Sequence, residues 1–163
     1  MADHTAPASH SRDTSDGDRT RLGRLARGVG RWALGFALLG AGTGHLTTLR
    51  QEFQAQVPPW IPLDPDVVVV ASGVVELGLG AALIFAPRRW WPWVGWTTAA
   101  FFVAIFPGNI SQYVTGTDGF GLDTDRARFI RLFFQPVLVA WALWSTGAWR
   151  DRRSLGLGRR KDR

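Results

Sequence analysis

Five residues set among long apolar runs could do chemistry that their neighbours cannot: His45, Glu76, Asn109, Arg131 and Gln135. Glu76 stands in the middle of VVVVASGVVELGLGAALIF, residues 67 to 85. A charge at the centre of such a helix costs several kcal/mol unless it faces a protein interior and finds a partner. Two readings are open for it. One is an interhelical ion pair or hydrogen bond with Arg131 and Gln135; the other is a proton-carrying or ligand-orienting carboxylate in a cavity. His45 is read equally as a packing or hydrogen-bonding residue and as an acid or base opposite Glu76. No residue is assigned a catalytic role. One His, one Glu and one Asn are a thin ligand set for a metal, and a bis-histidine haem lacks its second intramembrane His. With no cysteine in the chain, disulfides, thiolate metal sites and dithiol relays are excluded.

The elements that must position these residues are apolar runs long enough to cross about 30 Å of hydrocarbon. Four can be read: residues 32–49, 67–85, 90–106 and 129–149. Helices apolar on every side do not suit a soluble bundle, in which each must show water one face. The fold class expected is therefore an all-α membrane protein, a bundle of four transmembrane helices. The nine Trp and ten Phe all lie between Trp32 and Trp149. Residues 1–30 are polar and basic and hold too little apolar surface to offset ordering, so they read as a disordered tail, with His4 and His10 inert. The domain occupies 31–150, and 151–163 is a basic tail. The first apolar run starts late and continues as a span, so no cleaved signal is expected.

Basic residues alternate between the segments. Fifteen fall before the first span, between the second and third, or after the fourth, whereas the opposite side carries only Arg50, Arg126 and Arg128 among several acids. The positive-inside rule places both termini in the cytoplasm. Arg outnumbers Lys eighteen to one, and the resulting pI of 11.3 calls for no nucleic-acid partner. The basic C-terminal tail suits anionic lipid headgroups at the bilayer surface.

Counting about 1.5 Å of rise per residue from the outer end of each span puts Glu76 roughly 13 Å deep, Gln135 about 9 Å, His45 about 6 Å and Arg131 about 3 Å, with Asn109 near the surface. Helical spacing lets each span face a common interior: Leu38, Gly42 and His45; Gly73, Glu76 and Gly80; Thr98, Phe102, Ile105 and Asn109; Arg128, Arg131, Gln135, Leu138 and Ala142. Gly40 and Gly44 form a GxxxG step, and Gly73 with Gly80 add small surfaces for close helix contact. Pro136 removes a backbone hydrogen bond and leaves the Leu132 carbonyl free. The first outer loop, QEFQAQVPPWIPLDPD, is stiffened by prolines, and Pro58, Pro59 and Trp60 are candidates for a lid over the cluster.

The segments GTGHL, VPPWIP, ASGVVELGLGAALIF, FPGNI and RLFFQP, in this order between Trp32 and Trp149, resemble the DoxX-like family of small four-span bacterial membrane proteins. The resemblance implies association with a membrane oxidoreductase assembly and with quinone, and its motif positions map onto His45, Glu76, Asn109, Arg131 and Gln135. The function expected is a quinone- or lipid-associated subunit of such an assembly. The alternatives are a non-catalytic assembly subunit and a small proton-coupled transporter. The partners expected are the lipid bilayer and other membrane or redox subunits, with an oligomer open.

Overall fold

The computed structural model describes residues 10–119 and 121–150, with side chains from Thr20 onward, and is all-helical there. The helices are α1 (His10–Leu46), α2 (Arg50–Gln54), α3 (Pro65–Phe85), α4 (Trp91–Thr115) and α5 (Asp125–Thr146), with a single 3₁₀ turn at Arg88–Trp90 before α4. Three segments, Pro65–Phe85, Arg88–Thr115 and Asp125–Thr146, are long and apolar enough to cross a membrane.

The boundaries differ from expectation where local sequence continues a helix that hydropathy alone would stop. Residues 10–30, read as part of a disordered tail, belong to α1. Leu, Ala and Arg between residues 21 and 27 are good helix formers, and extending an existing helix avoids the cost of a new nucleus. Residues 1–9 and the basic tail 151–163 lie outside the described residues. α4 runs through Pro107 to Thr115 instead of ending at Phe106, so Asn109 is a buried helical residue and not a near-surface one. α5 starts at Asp125, where Thr124 accepts a hydrogen bond from the Ala127 N–H at 3.2 Å and caps it.

α1 and α3 pack antiparallel through glycine. A Cβ on Gly80 would stand 2.8 Å from the Gly35 carbonyl oxygen, and one on Gly42 would stand 2.7 Å from that of Gly73. Backbones this close leave no space for a side chain at either crossing. The seam uses Gly35 and Gly42, not the Gly40 and Gly44 step, because Gly40 faces open space and Gly44 faces Leu49. Its second consequence is at Gly73, where a Cβ would fall 2.6 Å from that of His45.

α4 and α5 form the other antiparallel pair, and Leu34, Leu38, Leu79, Leu83, Ala99, Phe102 and Ala142 make the core between the pairs. Arg31 joins α1 to the far end of α3. Its guanidinium donates to the Leu83 carbonyl and, at 3.4 Å, to that of Ile84, oxygens that the helix terminus leaves without intrahelical partners. The same guanidinium lies 4.2 Å from the Trp91 ring centroid, a cation–π contact. Outside this core the apolar side chains face outward, as Phe133 and Phe134 do at 60% exposure each.

The glycine seam makes a prediction about stability. Gly80→Val should destabilise the protein by about 1–3 kcal/mol through overpacking against backbone. Gly40→Ala, which meets nothing, should be neutral or stabilising by about 0.5–1 kcal/mol through helix propensity. Thermal unfolding of the purified variants in one detergent checks both.

Candidate functional site

Between the two helix pairs lies a cavity of about 350 Å³. At one end it is covered by residues following α1, and at the other it reaches Leu34, Leu38 and Leu138. Leu34 is about 16 Å beyond His45 by helical rise, so the cavity continues past its polar groups into an apolar floor.

One polar wall comes from α1 and α3. The Gly73 crossing brings His45 to Glu76, and His45 Nδ1 lies 3.2 Å from Glu76 Oε2. Ser72, one helical turn before Glu76 and so on the same face of α3, sets its Oγ 3.4 Å from the same Nδ1 and donates to the Val69 carbonyl at 3.0 Å. His45 and Glu76 are each 5% exposed. His45 Nε2 is buried with no hydrogen-bond partner among the described residues.

The facing wall comes from α4 and α5. The Asn109 side-chain N–H donates to Gln135 Oε1 at 2.9 Å, the Gln135 amide donates to the Phe102 carbonyl at 2.6 Å, and Arg131 Nε donates to Asn109 Oδ1 at 3.4 Å. The bond to Phe102 adds a side-chain donor to a helical carbonyl next to that of Val103, the one that Pro107 leaves without its i−4 N–H.

All five expected residues thus line one cavity. Gln135 is engaged by Asn109 and Phe102, and His45 stands opposite Glu76, at ion-pair distance from its carboxylate. Counting from span ends placed His45 well above Glu76; that count assumed straight, equally placed helices, and the glycine crossing sets the two level. Ser72 was missed, although its i, i+4 spacing to Glu76 was a readable signal.

The lid is built from α2 and the residues after it. Arg50 makes a two-pronged ion pair with Asp66, with Nε at 2.5 Å from Oδ1, and Gln54 adds a bond to Asp66 at 3.2 Å. The Asp66 carboxylate holds the Arg50 guanidinium above its ordinary pKa range. These contacts tie α2 to the start of α3, where Asp64 caps the helix by accepting from the Asp66 N–H at 2.7 Å. Phe53 of α2 stands edge-on to His45, with ring centroids 3.4 Å apart. Pro58 and Trp60 line the cavity, but Pro59 points away from it and is exposed. At Gly108 a Cβ would fall 2.5 Å from the Gln56 carbonyl oxygen, so the glycine after Pro107 lets the lid rest on α4.

A second loop buttresses the lid from α5. Arg128 is buried and pairs with Asp118 at 2.5 Å and with Asp125 at 2.8 Å. Gln112, also buried, donates to the Thr117 carbonyl at 3.3 Å. Gly119 packs against Ala55, where a Cβ would come within 3.0 Å of the alanine methyl.

The His45–Glu76 pair has two states with a neutral imidazole, and they differ by one proton on the carboxyl group. With the proton on Nδ1, Nε2 is an acceptor; with the carboxyl protonated and donating to Nδ1, Nε2 carries the hydrogen and is a donor. The pair can therefore offer either polarity at Nε2, and the change from acceptor to donor takes up one proton and brings its net charge from −1 to 0. Among the described residues no group of three or more His, Cys, Asp or Glu side chains could hold a metal ion.

The family model described as Domain of unknown function (DUF8561) matches residues 34–146, and the chain belongs to that family. The match contains every residue of both polar walls and of the lid. No curated protein and no solved structure matches the chain.

Two substitutions separate the lid from the walls. Asp66→Asn should speed amide hydrogen exchange across residues 50–61 and leave α4 and α5 unchanged. Gln135→Leu should cost about 1–3 kcal/mol, because the Phe102 carbonyl and the Asn109 amide lose their partner. Hydrogen-exchange mass spectrometry and thermal unfolding read the two effects.

Proposed function

We propose that this family member is a four-span integral protein of a bacterial inner membrane, with both termini cytoplasmic. In this reading the cavity under the lid binds the polar headgroup of a lipophilic molecule, foremost an isoprenoid quinone, within a membrane oxidoreductase assembly. The observation that carries the reading is the cavity itself, in which the His45–Glu76 pair and the Asn109–Gln135–Arg131 wall surround a space with an apolar floor.

The fourth span is α1. It is less apolar than the other three, but Gly35, Gly42 and His45 are turned to α3, and the two helices stay in contact from Gly35 and Gly80 to Gly42 and Gly73. A helix packed along a membrane-crossing partner shares its depth. The outward Phe, Val and Trp side chains suit lipid, and the arginine distribution supports the orientation.

Carbonyl and hydroxyl headgroups suit the chemistry of the pair. A quinone carbonyl needs a donor and a quinol hydroxyl an acceptor, and Nε2 can be either. The volume is at the lower end of the range for small-molecule sites, about 300–1,000 Å³, so it suits a headgroup and the first part of a tail and not a whole isoprenoid chain. Because Phe53 covers the imidazole, binding requires α2 to shift. The likeness of the motif segments to DoxX-like proteins adds the oxidoreductase setting. The α4 and α5 network is satisfied internally, which supports a share of helix-register work for that wall.

Protein extracted from its native membrane and purified in mild detergent should retain quinone, detected by mass spectrometry of the organic extract. His45→Ala and Glu76→Gln should each lower retention about tenfold, the scale of one lost hydrogen bond to a buried group. Val74→Ala, on the outward face of α3, should not. Wild-type protein free of quinone and of any other lipophile would defeat the proposal. Loss of stability alone in Glu76→Gln would favour a non-catalytic assembly subunit.

A further inference from the structure

A second concave surface shares only Gln135 with the cavity and otherwise has a lining of its own. It is a groove of about 660 Å³ running along α5 with Val103 and Phe106 of α4 on its flank. Pro136, Val139, Ala140 and Leu143 line it, and Arg27 and Arg150 stand at the end away from the lid. From Pro136 to Gly147 the helix rises about 16 Å, close to the thickness of one leaflet of a ~30 Å hydrocarbon core.

The basic end is positioned by the fold. The Trp144 ring packs where a Cβ on Gly30 would come within 2.7 Å of it, and Trp141 Nε1 donates to the Gly30 carbonyl at 3.0 Å. Those contacts hold the α1 turn that carries Arg27 against α5. At the other side, α5 stops at Gly147 with φ 72°, and the Arg150 N–H donates back to the Gly147 carbonyl at 3.0 Å. That turn keeps Arg150 over the end of the groove, and Trp149 beside it packs on Trp96 with centroids 6.4 Å apart. No Asp or Glu occurs in residues 21–50, 88–117 or 126–150, so the stretches of α1, α4 and α5 that border the groove carry no carboxylate of their own.

We infer that this groove is a binding site for one anionic phospholipid, with an acyl chain along Val139 and Leu143 and the phosphate between Arg27 and Arg150. Charge complementarity selects the occupant. A second copy of the chain would bring its own cationic end to the same place, whereas a phosphate supplies the missing negative charge and an acyl chain matches the apolar length. The two Trp residues at the basic end suit the headgroup boundary.

Native mass spectrometry of the full-length protein, titrated with phosphatidylglycerol or phosphatidylcholine of matched chains, tests this. Wild-type protein should retain phosphatidylglycerol about tenfold better, as expected for two guanidinium contacts near a membrane surface. Arg27→Gln/Arg150→Gln should erase that preference, and Arg21→Gln/Arg24→Gln, altering arginines that do not line the groove, should keep it. Ala140→Trp should fill the groove from an exposed position and reduce the retention of both lipids. Equal retention of the two lipids by the wild type would overturn the inference whether or not any variant folds. So would an unchanged preference in Arg27→Gln/Arg150→Gln, or a dimer that Ala140→Trp dissociates while bound lipid stays constant. None of these readouts involves the lidded cavity or its quinone.

Discussion

The close approach of α1 and α3 is the constraint on which the rest depends. Two helices that met through ordinary side chains would lie several ångströms farther apart, and His45 could not reach Glu76. Gly35 with Gly80, and Gly42 with Gly73, let backbone meet backbone. The crossing fixes rotation and register together, so that the volume a side chain at Gly73 would fill is taken by His45, and the imidazole is delivered 3.2 Å from the carboxylate. Packing brings the buried acid a neighbour at ion-pair distance, while Glu76 Oε2 makes no hydrogen bond among the described residues.

The other pair of helices works by a different logic. α4 and α5 meet through polar side chains at the lid end, where Gln135 bonds both to Asn109 and to the backbone of α4 at Phe102. That wall is held by its own hydrogen bonds, whereas the His45–Glu76 wall keeps a buried ring nitrogen without a protein partner. The asymmetry separates a wall whose polar groups are paired with one another from a wall that keeps buried polar atoms unpaired among the described residues. The lid joins them: it is pinned to α3 by Arg50 and Asp66, rests on α4 at Gly108, and covers the imidazole with Phe53.

Much of the cavity's membership was legible because helical spacing follows from the chain alone. Glu76, Gln135, Arg131 and His45 each stand on an apolar helix, where a polar group needs a reason. Spacing could not say who pairs with whom. Asn109 was misplaced because Pro107 and Gly108 read as the end of a span, while in the fold the helix continues and the proline's lost bond is tolerated. The Gly40 and Gly44 step had the right spacing and the wrong face, since spacing does not say which side of a helix a neighbour will occupy.

By itself the sequence determined an all-helical chain with long apolar segments, a polar residue within each, and an asymmetric distribution of arginines, all properties of local composition and period. Only the tertiary structure decided that Glu76 meets His45, that Arg31 caps α3, and that two arginines far apart in the chain, Arg27 and Arg150, close one groove. The physical reason is the same in each case. Pairing depends on the rotation and offset between helices, and these are set by where backbones can touch, a property of two surfaces together and not of either alone.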